Sequence, residues 1–341
     1  MATIKDVAKK AGVSIGIVSK AFNNYPDVSE KTRQRILDIA KEMNYTPNVV
    51  AKNLSSKRQL TIGMITSGLL NMDGKDNFNL FNMYKGAYSA VEEKYELAYF
   101  FTDSVKQKEK SYAQFCRERN IGGAILQGIS VDDPYFKELV DTNIPCVLID
   151  LTTESDKEGL IGNVSTNNYE ASREVANYLI ESNHRKIVIM AGKVETVVNT
   201  ERLSGVMAAF KENGLELKEE DVLHANFSEE QAYLMAKEYL KTKQPTAFLC
   251  FSDLMAFGVM KAVKESGLRI PEDISITGFD GLIIAEYTQP LLTTVRQDFF
   301  EIGKQAATLL QEMMEQKSTK QRVFVPHELI KRESVKTLSK E

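Results

Sequence analysis

Apolar positions at helical spacing open the chain. Ile4, Val7, Ala8 and Ala11 fall on one face, Thr3 stands where a helix would be capped with Asp6 three residues on, and Gly12 supplies a stop. Ser14 caps a second helix that runs through Val18 and Ala21 to about Asn23. After Pro26, Ser29 and Glu30 open a third, whose Ile36, Leu37, Ile39, Ala40 and Met43 form one stripe. Two short helices joined by a glycine turn, closed by a third, predict a helix-turn-helix unit. From residue 59 the pattern changes. The apolar runs LTIGMI, LAYFF, GAILQ, CVLID, KIVIMAG, TAFLCF and ISITGF alternate with helical segments, which predicts parallel sheets covered by helices on both faces. Two similar lobes or one eight-stranded barrel would both satisfy that alternation.

Charge divides the chain at the same place. The 341 residues carry a net charge of −4, but residues 1–60 hold 11 Lys/Arg against 5 Asp/Glu, leaving 32 against 42 for the remainder. A basic head on an acidic body points to a polyanion as the partner of the head alone. Apolar residues at 43% and charged residues at 26% are ordinary for a globular protein and exclude a disordered or fibrous one. No apolar stretch approaches the roughly 18 residues of a spanning helix, and MATIKDVAKK lacks the apolar region of a secretory signal. The expected location is the cytoplasm. Three scattered cysteines, Cys116, Cys146 and Cys250, fit buried thiols in a reducing compartment.

In a helix-turn-helix the second helix enters the major groove, and its first residues reach base edges. Those are Ile15, Gly16 and Lys20: an apolar contact for a thymine methyl, a close backbone approach, and a donor for guanine. Ser14, Ser19 and Asn23 suit phosphate contacts. The following stretch, YTPNVVAKNLSSKRQL, reads as a linker with enough helix formers for two turns. Leu54 within it is either a wedge for a DNA step or a docking knob for the next domain.

Catalytic signatures do not survive inspection. Gly12 to Gly16 matches G-x-S-x-G, but the nucleophile elbow needs a preceding strand and Ile4 to Ala11 is helical in pattern. There is no P-loop or GxGxxG, HELIK is not HExxH, and His184, His224 and His327 stand apart without ligand partners. The sequence predicts no enzyme, no metal and no cofactor.

TIKDVAKKAGVS, VSEKTRQRILDIAKEMNYTPN and AKNLSSKRQLTIGMI resemble the head and hinge of the LacI/GalR family of bacterial transcription regulators. QPTAFLCFSDLMAFGVMKAVKESGLRIPEDISITGFD, LLTTVRQD and HELIKRESV extend the likeness over essentially the whole chain. The resemblance implies an all-α helix-turn-helix head joined by a hinge helix to an α/β type I periplasmic-binding-protein-like body of two Rossmann-like lobes. It implies a head at 1–46, a hinge at 47–60, one lobe from 61–163 with 297–321, the other from 164–296 with 322–332, and a tail at 333–341. By the same likeness Leu54 is the minor-groove wedge, Tyr45 and Asn48 touch the DNA backbone, and Ala51 and Lys52 touch the minor groove. Gly16 and Lys20 depart from the Ala or Thr and the Arg of many members, so base preferences do not transfer.

Ligands of open α/β sheets bind beyond the carboxyl ends of the strands. Arg202, Phe227, Asp253 and Asp280 sit there and match the family's effector positions; Ser67 and Phe78 are the candidates from the first lobe. The implied function is a homodimeric repressor of a carbohydrate operon. It would bind a pseudo-palindromic operator under control of a sugar or sugar phosphate, with a purine effector or a phosphorylated protein co-effector as alternatives. Leu54→Ala is expected to weaken binding to the selected operator more than to random DNA in a titration on both; equal losses would remove the wedge role.

Overall fold

The computed structural model describes residues 2–46, 60–67, 77–102, 111–129, 133–153, 160–317 and 322–339. The expected hinge, with Asn48, Ala51, Lys52 and Leu54, lies outside the described residues. The chain divides into two units, Met1–Leu60 and Thr61–Glu341.

The head is three helices, α1 (Ile4–Ala11), α2 (Ile15–Phe22) and α3 (Glu30–Glu42). Each begins as the sequence predicts. Thr3 and Asp6 form a reciprocal capping box, and the hydroxyls of Ser14 and Ser29 accept from the backbone N–H groups of Ile17 and Thr32. Gly12, at φ 65°, takes the left-handed turn between α1 and α2. Val7, Ala8, Ala11, Val18, Ala21, Val28, Ile36 and Ala40 make the core. Arg33 donates to the Tyr25 carbonyl at 2.8 Å and so ties the loop before α3 to that helix.

The body contains strands β1 (Thr61–Ser67), β2 (Glu96–Thr102), β3 (Ile121–Gln127), β4 (Cys146–Ile149), β5 (Ile161–Thr166), β6 (Ile187–Ala191), β7 (Val222–His224), β8 (Ala247–Cys250), β9 (Ser275–Asp280), β10 (Thr293–Gln297), β11 (Arg322–Val325) and β12 (His327–Ile330). They form two open six-stranded sheets, ordered β11-β5-β4-β3-β1-β2 and β12-β10-β9-β8-β6-β7. Two open sheets rule out the single barrel. Pairing is parallel except between β10 and β12. Strand order reverses between β1 and β3 in one lobe and between β6 and β8 in the other, and these reversals are where such sheets open a crevice. In the first lobe the helices Asn77–Ala90 and Phe299–Met314 cross so closely that a Cβ on Gly86 or Gly303 would strike the other helix's backbone.

The ends of the lobes differ from expectation. Residues 322–332 were assigned whole to the second lobe, but β11 pairs with β5 in the first sheet and only β12 joins the second. Pro326 separates them, and a residue without an N–H breaks a ladder, so the chain changes sheets there. The boundary at 163 likewise fell inside β5, and Gln297 pairs with His327 in the second sheet. Nor are residues 333–338 a loose tail. Buried Ser334 donates to the Ile276 carbonyl at 2.6 Å and accepts from the Thr293 N–H, and Asn183 Nδ2 donates to the Leu338 carbonyl.

His184 fastens this segment: its ring lies 3.0 Å from both the Thr246 hydroxyl and the Lys336 carbonyl. Burial pulls its pKa below the ordinary 6.5. The unfolded chain therefore takes up a proton that the folded ring resists, so this group's contribution to stability is present above about 6.5 and is lost as pH falls below it. Relative to His184→Gln, wild-type stability should decline over that range by at most about 1.4 kcal/mol per pH unit. Denaturant titrations of both proteins from pH 7.5 to 5 check this, and parallel curves would contradict it.

Candidate functional site

In the head, α2 turns its N-terminal half outward. Ile15 is 43% exposed and Ile17 37%, with Gly16 exposed between them. One exposed isoleucine means little, but two flanking a glycine at the start of a recognition helix form a surface suited to thymine methyls. Ile17 escaped the sequence reading because IGIV looks like core on either side of Gly16. Ser14 caps α2 with the same hydroxyl proposed for phosphate, and Asn23 spends its amide on the Ser19 carbonyl at 2.9 Å. Lys20 pairs with Asp27; this raises the pKa of the lysine and lowers that of the carboxyl. Both are about half exposed, so solvent screening keeps the pair weak enough to yield to DNA. Tyr45 packs edge-on against Phe22, ring centres 5.8 Å apart, and anchors the end of the head.

In the body, Arg202 organises the carboxyl end of the second sheet. It lies on the helix Val197–Glu212 after β6 and is only 4% exposed. Its Nε donates to Asn168 Oδ1 at 2.9 Å, one Nη donates to the Phe251 carbonyl beyond β8, and the guanidinium lies 3.5 Å from the ring centre of Phe279. The other Nη is 3.9 Å from Asp280 Oδ1, an ion pair too long for a hydrogen bond and hence a donor a ligand oxygen could use. Burial lowers the Arg202 pKa, opposed chiefly by Asp280, then Asp150 and Glu201. Asp280 sits at φ 116° and accepts from Gln297 Nε2 at 2.8 Å.

Asp150 was missed. It follows β4 at φ 56°, within electrostatic reach of Arg202, and burial pushes its pKa up to about 6. Its Oδ1 and the Gln297 Oε1 are buried acceptors without a hydrogen-bond partner among the described residues. The signal was present in CVLID, where an Asp ends a strand just as Asp280 ends ISITGFD. Phe227, at φ 59°, lays its ring over Gly192, where any Cβ would strike it. Asp150, Phe227 and Asp280 thus share a positive φ, which several turn residues elsewhere in the chain also adopt.

The other candidates sit differently. Ser67 ends β1 beside the buried Tyr112 hydroxyl, which also meets Asp133 at 3.1 Å. Phe78 is half exposed on the helix Asn77–Ala90. Neither takes part in the bonds around Arg202. A groove of about 450 Å³ on the second lobe is lined by Arg173, Glu174, Tyr178 and His327 among others; within it Arg173 pairs with Glu170, and the His327 ring bonds Glu174. Among the described residues no His, Cys, Asp and Glu cluster could hold a metal, and no helix is long and apolar enough to cross a membrane.

Asp253 requires a correction. It is fully buried in the first turn of the helix Asp253–Glu265; one oxygen accepts from the Leu282 N–H at 2.7 Å and the other from the Thr294 hydroxyl at 2.6 Å. It ties loop to strand and has no face toward a ligand. Burial pushes its pKa up to about 7, so its stabilising contribution is fully present below its ordinary 3.8 and is lost as pH rises through about 7. Asp253→Asn should cost about 1–3 kcal/mol by spoiling one of two buried bonds and flatten that slope, leaving effector binding intact. Melting curves against pH, with and without effector, test this; full stability with effector binding lost would restore Asp253 to the site.

Comparison with known proteins agrees with this arrangement. Residues 3–48 match the model of bacterial regulatory proteins of the lacI family, and 176–335 match a periplasmic binding protein-like domain. The HTH-type transcriptional repressor PurR of Vibrio atlanticus is 33% identical, over 99% of this chain and all of its own. The probable HTH-type transcriptional repressor ExuR of Bacillus subtilis is 31% identical over the same shares. Among solved structures, the Lac repressor dimer bound to operator and an anti-inducer superposes with a TM-score of 0.83 at 26% identity, covering 98% of this chain and 99% of that one. The chain belongs to the lacI family: it is a transcriptional repressor with a helix-turn-helix head and a two-lobed effector-binding body.

Proposed function

We propose that this repressor acts as a homodimer on a pseudo-palindromic operator in the cytoplasm and answers to a neutral, polyhydroxylated effector of the sugar class. The observation that carries the effector class is the composition of the Arg202 site. The guanidinium lies 3.9 Å from Asp280, and Asp150, Glu201 and Asp253 add negative charge within electrostatic reach, so among the described residues its positive charge is more than matched. A phosphate or carboxylate would add uncompensated negative charge. Hydroxyl groups suit it better: they can donate to Asp150 Oδ1 and Gln297 Oε1, which have no hydrogen-bond partner among the described residues, and accept from the Arg202 Nη that lies 3.9 Å from Asp280, while Phe227 offers an apolar ring face. The relatives named PurR favour a second reading, a purine stacked on Phe227.

On the DNA side, Ile15, Gly16, Ile17 and Lys20 would read bases, with Ser14, Ser19, Asn23, Tyr45 and Asn48 on the backbone and Ala51, Lys52 and Leu54 in the minor groove. The dimer reading is supported by exposed apolar groups on the body: Phe78, Phe81, Tyr88 and Phe101 in the first lobe, and Ile283, Ile284 and Tyr287 in the second.

The test is selection of duplexes from a random pool at near-physiological salt, repeated with neutral hexoses and pentoses, hexose phosphates, hexuronates, and hypoxanthine or guanine. A two-fold-symmetric site should emerge, its enrichment should change with a neutral sugar, and Arg202→Ala should abolish that change while keeping the site. A response to the phosphates alone would overturn the charge argument, and a response to the purines alone would replace it with the second reading.

A further inference from the structure

The chain passes between the lobes in three places: from β5 into the helix Asn168–Glu181, from β10 into the helix Phe299–Met314, and from β11 into β12. Each passage carries a polar side chain wired to Arg202. At the first, Asn168, 1% exposed, gives its Oδ1 to Arg202 and its Nδ2 to Glu201 Oε2 at 3.4 Å. At the second, Gln297 binds Asp280, the ion partner of Arg202. At the third, Arg322 of the first sheet pairs with Glu201 of the second lobe and lies 4.4 Å from the ring centre of Phe324. Glu201 and Arg202 are neighbours on one helix, so Asn168 sits between the two charges and answers to both.

We propose that the Glu201–Arg322 pair is an interlobe latch which, acting through Asn168, positions Arg202 and sets the resting balance between open and closed lobes. The Arg202 bonds to Asn168 and the Phe251 carbonyl are buried. The outer pair, with side chains 22% and 38% exposed, is the part that solvent and salt can loosen. Breaking it removes the tie between β11 and the second lobe, with β12 still paired to β10, and leaves Glu201 held only through its Oε2 bond from Asn168, so the change is passed through Asn168 to Arg202. That the latch tunes the effector response rests on the reading of Arg202 as an effector contact; that it restrains the passages does not.

The test is hydrogen–deuterium exchange on the full-length protein without ligand, following peptides that cover 164–170, 293–299 and 322–330. Arg322→Gln and Glu201→Gln should each speed exchange at all three passages by about three- to tenfold. Arg322→Lys should do so less, and the reversed pair Glu201→Arg with Arg322→Glu should return exchange toward wild type. The Arg202 Nε–H resonance, assigned by its loss in Arg202→Lys, should broaden or shift in Glu201→Gln. Faster exchange confined to 322–325, an unmoved Arg202 signal, or a reversed pair no better than the single changes would overturn the latch. Because no ligand is present, these results stand apart from the effector reading: a latch that behaves as described, in a protein whose Arg202→Ala variant still answers sugars, would refute that reading alone.

Discussion

A guanidinium taken out of water must be repaid in place, and the second lobe is assembled around that requirement at Arg202. Removing a charge from water costs several kcal/mol even after relaxation. Here the return comes from Asn168, the Phe251 carbonyl, the face of Phe279 and the carboxylate of Asp280. These groups arrive from the start of one helix and from the ends of β8 and β9, so the switch-point end of the sheet is held in register by a single side chain. A second carboxylate, Asp150, lies within reach of the same charge, and burial raises its pKa.

Asp253 and Asp280 look equivalent in the sequence, each ending an apolar strand run, yet their environments assign them opposite tasks. Asp253 lies inside the helix it begins and has both oxygens committed to Leu282 and Thr294. Asp280 is the last residue of β9, at a positive φ, held by Gln297 with its Oδ1 3.9 Å from an Arg202 Nη. The first ties the loop after β9 to β10, and the second lies beside Arg202.

That distinction marks where sequence reasoning stops. Caps, the Gly12 turn and the apolar stripes of α1 to α3 are local, set by residues three or four apart, and they were legible. So was the alternation of strands and helices. The allocation of β11 and β12 to different sheets was not, because four-residue strands carry no record of their partners and only Pro326 hints at the break. Arg202 and Asp280 were legible as polar residues after strands. Asp150 was not separated from its strand CVLID, since backbone strain and an unpartnered oxygen are properties of the folded chain. Ile17 was hidden for a related reason: an apolar residue in a short amphipathic helix reads as core until its exposure is known.

The energies involved suit a switch. Coupling between two ligand sites commonly amounts to about 1–3 kcal/mol, and a ligand moves an equilibrium only by its differential affinity for the two states. A crevice closed by wholly buried ion pairs would be too costly to reopen at that scale, and one with no bonds across it would have no preferred state to shift. The body combines the two regimes, with a buried inner set around Arg202 and a partly exposed pair at Glu201 and Arg322 where one lobe meets the other. On the proposed reading, an effector that competes for the Arg202 donors would meet a network that runs through Asn168 and Glu201 to Arg322 of the other lobe, and a contact at one side chain would bear on the angle between two sheets.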